Sequence, residues 1–439
     1  MSFQTGLSGL NVSSKSLDVI GNNIANANTV GFKSSRNEFS ELVAGSLGVG
    51  GGNAAGIGAA TAVISQQFSQ GNITITGSSL DVGINGSGFY QVTKTDGSLG
   101  YTRDGQFKLD KAGNLLTNTG SFLMGYPTDA TGASTSITPQ KLTLPTGAPI
   151  PAKETLNMTA EFNLDARAKN ETQATAAGIT PDPRSKYGTS ISVYDAQGVS
   201  SSANLFFTKV DDPTGIDPLL VNKWDVFTGL DDLTATPPVT FTAIGRIGFD
   251  KSGKVESPLV AGKATITIAG GSIPSNNPNE TTLNAAGAKV LPQDITVDLA
   301  GVTQFGANFS VTNLSQDGYT AGEFTSLAID GKGVISTSYS NGQTLKTGGM
   351  IALADFRNLQ GLDPIGGGEY KESFKSGSVV LGQPGVGKFG ELRAGAVEES
   401  NVDITAELVN MMTAQRNYQA NAQTIKTQDQ IMSTLVNLR

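Results

Sequence analysis

The chain has 439 residues, a net charge of −8 and neither cysteine nor histidine. Disulfides, cysteine nucleophiles, Ser-His-Asp triads and zinc sites with Cys or His ligands are therefore excluded. The acidic balance also argues against a nucleic-acid partner, because nucleic acid is bound mainly through neutralisation of its phosphates.

We expect neither a secretory signal at the N-terminus nor a membrane-spanning segment. The N-terminus has no basic start followed by an apolar block, so no cleavable secretory signal is expected. No stretch is long and apolar enough to span a bilayer, so no membrane insertion is expected. We also expect no enzymatic activity, no cofactor and no metal site.

The first segment, residues 1–28, has the pattern of an amphipathic helix. Apolar residues recur at alternating steps of four and three, as in a coiled-coil seam, with Ser14 and Gly21 filling two positions of the series. Four asparagines crowd the end of the segment and Gly31 comes soon after, which is typical of a helix stop. The seam residues predicted on this helix are Phe3, Leu7, Leu10, Leu17 and Ile24.

A Gly/Ala-rich linker region is predicted over residues 29–71. Its stretch Ala44–Thr61 reads AGSLGVGGGNAAGIGAAT and carries almost no side-chain bulk. We interpret this stretch as a flexible loop. The alternative is a connection that changes its shape between copies of the same protein.

The middle of the chain has the signals of β-structure. A β core domain is predicted in two parts, residues 72–145 and 317–370, because short runs of β-forming residues alternate there with Gly-containing turns. Between these parts, residues 146–316 are more polar, contain Trp224, and are predicted to form an inserted all-β outer domain. Residues 371–399 are predicted as a second linker region.

Residues 400–439 are predicted to form one long helix, roughly 55 Å in length at about 1.5 Å per residue. Ser400 and Asp403 match a capping pattern at its start. Its outer face carries mainly Asn and Gln, and neutral amides suit a helix that is surrounded by other protein. Both terminal helices are therefore predicted to pair in a coiled-coil-like manner and to pack against other copies. The seam residues predicted on this helix are Ile404, Leu408, Met411, Tyr418, Ile425, Met432 and Val436.

One Gly-rich stretch raises the alternative of a nucleotide site. Gly382–Lys388 nearly matches a P-loop, but Phe389 stands where a Ser or Thr would hold Mg²⁺. A phosphate site also needs a helix to begin at the glycines, and Gly395 would interrupt any helix in the segment after them. We therefore interpret the stretch as a Gly-rich turn.

Three stretches resemble the bacterial flagellar rod and hook protein family. LDVIGNNIANANTVGFKSSR (Leu17–Arg36) is similar to the family's N-terminal signature, and AQRNYQANAQTIKTQDQIMSTLVNLR (Ala414–Arg439) is similar to its C-terminal signature. YTRDGQFKLDKAGNLLTNTG (Tyr101–Gly120) resembles the shared β core. Rod-type members have little or nothing inserted in this core, so the insert at 146–316 resembles the outer domain of hook-type members.

The resemblance implies a structural subunit of the flagellar hook, a curved tube outside the cell that joins the rod to the filament as a universal joint. It implies that the terminal helices form the inner tube around the export channel, with the β core and the insert in outer layers. It also implies self-assembly into a helical homopolymer. The further partners that it implies are the distal rod protein, the hook cap, the hook–filament junction proteins and the flagellar type III export apparatus.

Three alternatives to a hook subunit stay open at this point. A distal rod protein would lack the large insert. An enzyme or adhesin that acts on polysaccharides would need two carboxylates about 5–10 Å apart in a cleft, and it would leave the end helices unexplained. A filament protein such as flagellin would have longer terminal helices, with helical segments where this chain has strands.

Overall fold

The computed structural model describes residues 3–43, 56–145, 149–169, 184–210, 222–229, 241, 243–260, 262–284 and 287–437. One helix lies near each end of the chain, α1 (Phe3–Ala25) and α2 (Ile404–Asn437), and strands dominate between them. The helices pack together. The predicted fold class, mainly β with paired terminal helices, a discontinuous β core and an inserted all-β domain, is confirmed.

The chain divides into two compact units. The first consists of Met1–Ala148, Thr325–Ser338 and Thr344–Arg439, and the second of Pro149–Phe324 and Tyr339–Gln343. The strands before residue 149 are β1 (Ser35–Val43), β2 (Gly56–Gln66), β3 (Ile73–Ile75), β4 (Val82–Asn85), β5 (Phe89–Thr93), β6 (Leu99–Thr102), β7 (Phe107–Leu109), β8 (Leu115–Thr117), β9 (Phe122–Tyr126) and β10 (Gln140–Lys141).

Eleven strands of the second unit form two sheets. These strands are β11 (Asn157–Asp165), β12 (Gly188–Tyr194), β13 (Ser200–Val210), β14 (Asn222–Phe227), β15 (Gly245–Phe249), β16 (Val255–Ser257), β17 (Leu259–Val260), β18 (Lys263–Ile268), β19 (Ile295–Asp298), β20 (Thr303–Phe305) and β21 (Ser310–Gln316). One sheet has the order β17-β18-β19-β11-β20, with β21 also on β11, and the other has the order β12-β13-β14-β15-β16. Both sheets contribute alternate side chains to one buried core, which contains Trp224.

The remaining strands come after the insert. They are β22 (Phe324–Ile329), β23 (Ile335–Tyr339), β24 (Thr344–Leu345), β25 (Met350–Ile351), β26 (Leu353–Asp355), β27 (Asp363–Gly366), β28 (Glu369–Lys371), β29 (Val380–Gly382), β30 (Glu391–Ala394) and β31 (Ala396–Glu398). The large sheet of the first unit has the order β27-β28-β6-β5-β9-β8-β7, with β10 and β25 on β9, β26 on β5, and β29 on β26. Strands from both sides of the insert therefore build one sheet.

A single turn type recurs along the chain. In each case an Asp accepts a hydrogen bond from the backbone N–H four residues later, and a Gly with positive φ precedes that residue. In the first of these turns Gly113 has φ of 84°, a conformation that glycine adopts without strain. These turns begin at Asp110, Asp129, Asp195, Asp250 and Asp330.

The prediction of a linker over residues 29–71 is wrong, because the described part forms a hairpin. Strand β1 pairs antiparallel with β2, from Ser35 opposite Gln66 to Val43 opposite Gly56. The small side chains of β2 allow it to lie close to α1, where a Cβ on Gly58 would stand 1.9 Å from Oγ of Ser8. Residues 44–55 of the predicted loop lie outside the described residues.

The prediction of a linker over residues 371–399 is also wrong. Strand β29 pairs with β26, β30 with β4, and β31 with β3. Leu392 and Val397 are each 4% exposed, so this segment belongs to the packed part of the first unit. Its strands are three or four residues long, which is too short for a periodic pattern to reveal them.

The paired terminal helices and their junction with the β core as candidate functional site

Helices α1 and α2 run antiparallel in a defined register. Gly6 faces Ile425, and a Cβ on Gly6 would stand 3.1 Å from Cγ1 of Ile425. Gly9 faces Asn421 in the same way, at 2.8 Å. At the other end of the pair, Nδ2 of Asn23 donates to Oε1 of Glu407 at 3.1 Å. Small residues on α1 thus allow the two helices to approach closely.

The predicted seam residues fall into two groups in the single chain. Met411 and Ile425 on α2 are half-buried, as are Leu10, Leu17 and Ile24 on α1. The others are 37–55% exposed, and these are Phe3, Leu7, Ile404, Leu408, Tyr418 and Met432. The side chain of Val436 lies outside the described residues. The assignment of these residues to an interface between subunits remains a prediction.

The face that α1 presents to α2 lies one residue away from the predicted seam. Gly6, Gly9 and Asn23 each precede a seam position, which rotates the contact face by about 100° around the helix. Sequence reasoning missed these residues because it searched for apolar side chains. The sequence does contain a signal for this face, because small or polar residues recur on α1 at intervals of seven. One series is Gly6 and Ser13, and the other is Gly9, Ser16 and Asn23.

The start of α2 also differs from the predicted cap. Oδ1 of Asp403 accepts hydrogen bonds from the backbone N–H groups of Thr405 (2.8 Å) and Ala406 (3.1 Å), so Asp403 is the N-cap and the helix begins at Ile404. The predicted capping pattern began at Ser400, so the observed N-cap lies three residues later, at Asp403. Asp is favoured at an N-cap because its carboxylate also faces the positive end of the helix.

Asn23, near the end of α1, joins three elements. Its amide donates to the carbonyl of Ser35 at 2.8 Å and accepts from the N–H of Ser35 at 2.9 Å, while it also donates to Glu407 of α2. The residue is 1% exposed. A groove of about 460 Å³ lies beside it, lined among others by Ile20, Phe39 and Asn410.

Asn401, just before α2, binds the chain segments on either side of the hairpin. Its Oδ1 accepts from the N–H of Ser34 at 2.7 Å, and its Nδ2 donates to the carbonyls of Gln67 (2.7 Å) and Ser69 (3.2 Å). The two amides, Asn23 and Asn401, therefore fix where both helices leave the β-structure.

A buried ion triad lies between the helices and the large sheet. Nζ of Lys33 lies 2.5 Å from Oε1 of Glu398, and Nη1 of Arg103 lies 3.0 Å from Oε2 of the same carboxylate. The side chains of Lys33 and Glu398 are 0% exposed and that of Arg103 is 6% exposed. Burial lowers the pKa of Lys33 below its usual value, and the attraction of Glu398 opposes this shift.

Aromatic side chains anchor this junction to the sheet. Phe68, which comes after β2, makes edge-to-face contacts with Phe89 (5.7 Å between centroids) and Tyr370 (5.4 Å). The guanidinium of Arg103 lies 5.1 Å from the centroid of the Phe89 ring. These contacts pack the segment after the hairpin directly against the large sheet.

The Gly-rich stretch Gly382–Lys388 forms a turn between β29 and β30, and no helix begins at its glycines. Nζ of Lys388 lies 2.5 Å from Oδ2 of Asp355. In the described part of the chain no group of acidic side chains is placed to hold a metal ion, and no helix combines the length and apolarity of a membrane span.

Four family descriptions match the chain. "Flagella basal body rod protein" matches residues 3–33, and "Flagellar hook protein FlgE/F/G D1 domain" matches residues 83–163. "Flagellar basal body protein FlaE D2 domain" matches residues 163–319, and "Flagellar basal body rod FlgEFG protein C-terminal" matches residues 393–438. The matches at the two ends include all of α1 and all of α2, and the D2 match lies within the second unit.

Three relatives match this chain over almost the whole length of both sequences. The flagellar hook protein FlgE of Salmonella typhimurium is 39% identical over 444 residues, which covers 100% of both chains. The Escherichia coli flagellar hook protein FlgE is 38% identical with the same coverage, and that of Treponema pallidum is 32% identical over 99% of this chain and 98% of its own.

A solved structure has a similar fold. The crystal structure of the Helicobacter pylori flagellar hook protein FlgE2 matches with a TM-score of 0.51 and 16% identity, and it covers 73% of this chain and 99% of its own. The distal rod alternative is not favoured, because relatives that match end to end are hook proteins. The chain belongs to the flagellar hook protein FlgE family.

Proposed function

We propose that copies of this chain polymerise into the flexible helical tube of a bacterial flagellar hook, which transmits torque from rod to filament and encloses the export channel. In this proposal the α1–α2 pairs form the inner tube. The β core and the second unit form the layers outside it. The role is structural, without catalysis.

The observation that carries this proposal is the set of large apolar side chains that the helix pair leaves exposed. Phe3 and Leu7 on α1, and Ile404, Leu408 and Met432 on α2, are each more than two-fifths exposed in the single chain. Complete burial of such a side chain contributes about 1.5–3 kcal/mol. Contacts between neighbouring helix pairs would recover about half of this free energy for each side chain, because each is already about half buried.

The polar face of α2 supports the same arrangement. Asn417, Gln419 and Gln430 are exposed along the helix, where ionic side chains would be costly to bury between subunits. A tube that grows without closing needs heterologous contacts, in which one surface of a copy meets a different surface of the next. Two unlike helices in each copy supply such surfaces.

We propose the partners and the location of the chain on the basis of its family membership. The chain would assemble with itself in the extracellular hook and would adjoin the distal rod protein, the hook cap and the hook–filament junction proteins. The flagellar type III apparatus would export it without a cleavable signal. A chain without cysteine suits this route, since no disulfide can form before export.

Electron microscopy of the purified chain under polymerising conditions tests the proposal. Salts that strengthen apolar burial, such as ammonium sulfate, should produce tubes. A matched variant that ends at Asp403, and so lacks α2, should produce none. Dispersed monomers of the full chain under every condition would contradict the proposal.

A further inference from the structure

We infer that Phe374, on the loop between β28 and β29, inserts into the groove beside Asn23 on a second copy of this chain. The inference rests on the proposed function and deepens it, because it names one contact between copies in the tube. The contact joins an aromatic ring that the fold of one copy leaves uncovered to a groove that the same fold leaves open.

Phe374 is the most exposed aromatic side chain among the described residues. It is completely exposed, whereas the next, Phe3, is 53% exposed. Single apolar residues are common on protein surfaces, but phenylalanine is among the types most often buried. Folding of one copy gains nothing from burial of this ring, so all of its apolar area is available for a contact between copies.

The loop that carries Phe374 is held by hydrogen bonds on both sides of the ring. The hydroxyl of Ser373 donates to the carbonyl of Gly361, and the N–H of Ser373 donates to Oγ of Ser376 at 2.9 Å. Ser376 is buried, and its carbonyl accepts from the N–H of Asn358 at 3.3 Å. An ordered turn therefore presents the ring outward, so little backbone freedom is left to lose when the ring binds.

The groove has the space and the walls to accept such a ring. Its volume is about 460 Å³, and its apolar lining consists of Val19 and Ile20 of α1 and Phe39 of β1. Arg36, the one cation that lines it, is already paired with Glu38 at 2.9 Å. The groove exists when α1 and α2 are paired, as they are in the proposed tube. A ring that enters it would bury apolar area on both copies.

The charges beside the ring and in the groove are complementary. Lys371 and Lys375 are exposed on either side of Phe374, and the loop between them carries one acidic residue, Glu372. Glu407 lines the groove and, in the part of the chain that the structure describes, pairs with no cation. Opposite charges around an apolar centre orient two surfaces as they meet, so the lysines favour the end of the groove at Glu407.

The contact is heterologous, because the loop of one copy meets the groove of the next and neither surface meets itself. A heterologous contact can repeat from copy to copy without closing a dimer. Both surfaces lie in the first unit, so a single type of contact within that layer can extend along an open tube.

Photo-crosslinking in the tube tests the contact. A variant with the photo-reactive p-benzoylphenylalanine in place of Phe374 is mixed with isotopically heavy unmodified chain and polymerised. Crosslinks to heavy peptides from residues 16–23 and 34–39, which line the groove, are expected. Tubes without these crosslinks, or with crosslinks only inside one copy, would overturn the inference. If the unmodified chain forms no tubes, the proposed function fails and the inference fails with it.

The concentration at which tubes form gives a second readout. Phe374→Ser should raise this concentration about tenfold or more, the ratio expected for loss of a buried phenylalanine. The urea midpoint of the unpolymerised chain should stay unchanged, because the ring packs against nothing within one copy. Val386→Ser, at a residue that is 58% exposed and outside both surfaces, is the matched control and should change neither value. Tubes that form from Phe374→Ser at the unmodified concentration would overturn the inference.

A charge reversal tests which part of the second copy the loop meets. Lys375→Glu and Glu407→Lys should each raise the tube-forming concentration. The double variant should form tubes at a lower concentration than either single variant, because the reversed pair attracts again. A double variant no better than the worse single variant would show that the two charges do not meet, and would exclude the groove as the binding site of Phe374.

Discussion

The side chain of Ile425 on α2 lies directly over Gly6 on α1, and the position of a Cβ on Gly6 is 3.1 Å from Cγ1 of Ile425. The antiparallel register of the two terminal helices depends on this contact, on Gly9 opposite Asn421, and on Asn23 bonded to Glu407. Contacts between residues near the two ends of the chain thus place its two helices side by side.

Gly6→Val should separate the helices at this contact. Its added methyl groups have no space against Ile425, and overpacking of this kind typically costs about 1–3 kcal/mol. Hydrogen exchange in α1 of the isolated chain should become faster. The matched control is Gly21→Val on the same helix, where no atom lies within 4 Å of an added Cβ. Equal exchange rates in the two variants would contradict the register described.

Ile425→Asp should abolish polymerisation while both β units stay folded. Ile425 is half-buried against Gly6. A carboxylate at this position would lie between packed helices without a cation as its partner. Burial of a polar group without a partner costs about 2–7 kcal/mol. Sedimentation measures polymer yield, and Trp224 fluorescence measures the integrity of the second unit. Lys426→Asp, at an exposed neighbouring position, should reduce the yield less. A polymer yield from Ile425→Asp equal to that of the unmodified chain would exclude Ile425 from the seam.

Leu392→Ala should destabilise the first unit by about 2–5 kcal/mol, as expected for a buried leucine. Leu392 is 4% exposed on β30, opposite Ile84 of β4. Urea unfolding followed by circular dichroism gives the change, and Trp224 fluorescence should report an unaltered second unit. Val386→Ala, at a residue that is 58% exposed, is the matched control.

Limited proteolysis should also leave residues 391–398 attached to the core, and early cleavage after Lys371 would show that this segment is not packed.

Asp317→Asn should weaken the second unit at neutral pH and have a smaller effect in acid. Burial alone would raise the pKa of Asp317, but hydrogen bonds from the backbone of Asn157 and Leu156 and from the side chains of Asn157 and Lys153 lower it to about 2. Because the folded pKa lies below the ordinary value of 3.8, the stabilisation is complete above about 3.8 and is lost as pH falls towards about 2.

The measurement for Asp317→Asn is the urea midpoint by Trp224 fluorescence, at pH 7 and near pH 2.5. The difference between Asp317→Asn and the unmodified chain should shrink in acid. Glu256→Gln, at an exposed position of the same unit, should stay close to the unmodified chain at both values. A constant difference for Asp317→Asn across this range would show that charge is not the origin of the effect.

The local sequence pattern was sufficient to predict the two terminal helices and the β-structure of the region between them. The heptad positions Met411 and Ile425 were predicted as seam residues and are half-buried in the single chain. Gly6 and Gly9 were not predicted as contact residues, because a residue without a side chain adds nothing to a hydrophobic pattern. Their lack of a side chain is nevertheless what allows α2 to approach α1 closely. For the same reason the small residues at the start of β2 predict a loop, and the pairing with β1 and the contact with α1 make a strand of them.

The remaining features depend on residues that are far apart in the chain. The strands β29, β30 and β31 are too short to form alone and exist because β26, β4 and β3 complete their hydrogen bonds. Likewise, Lys33, Arg103 and Glu398 appear in the sequence as ordinary surface charges. Periodicity along the chain shows which face of a helix is apolar and where the side chains of a strand alternate, and this was enough to predict the class of fold. The family was indicated separately, by the resemblance of three stretches to its signatures. Which buried groups neutralise one another is decided only when folding brings distant segments together and excludes water, since a charge or a short strand is stabilised by partners that no local pattern contains.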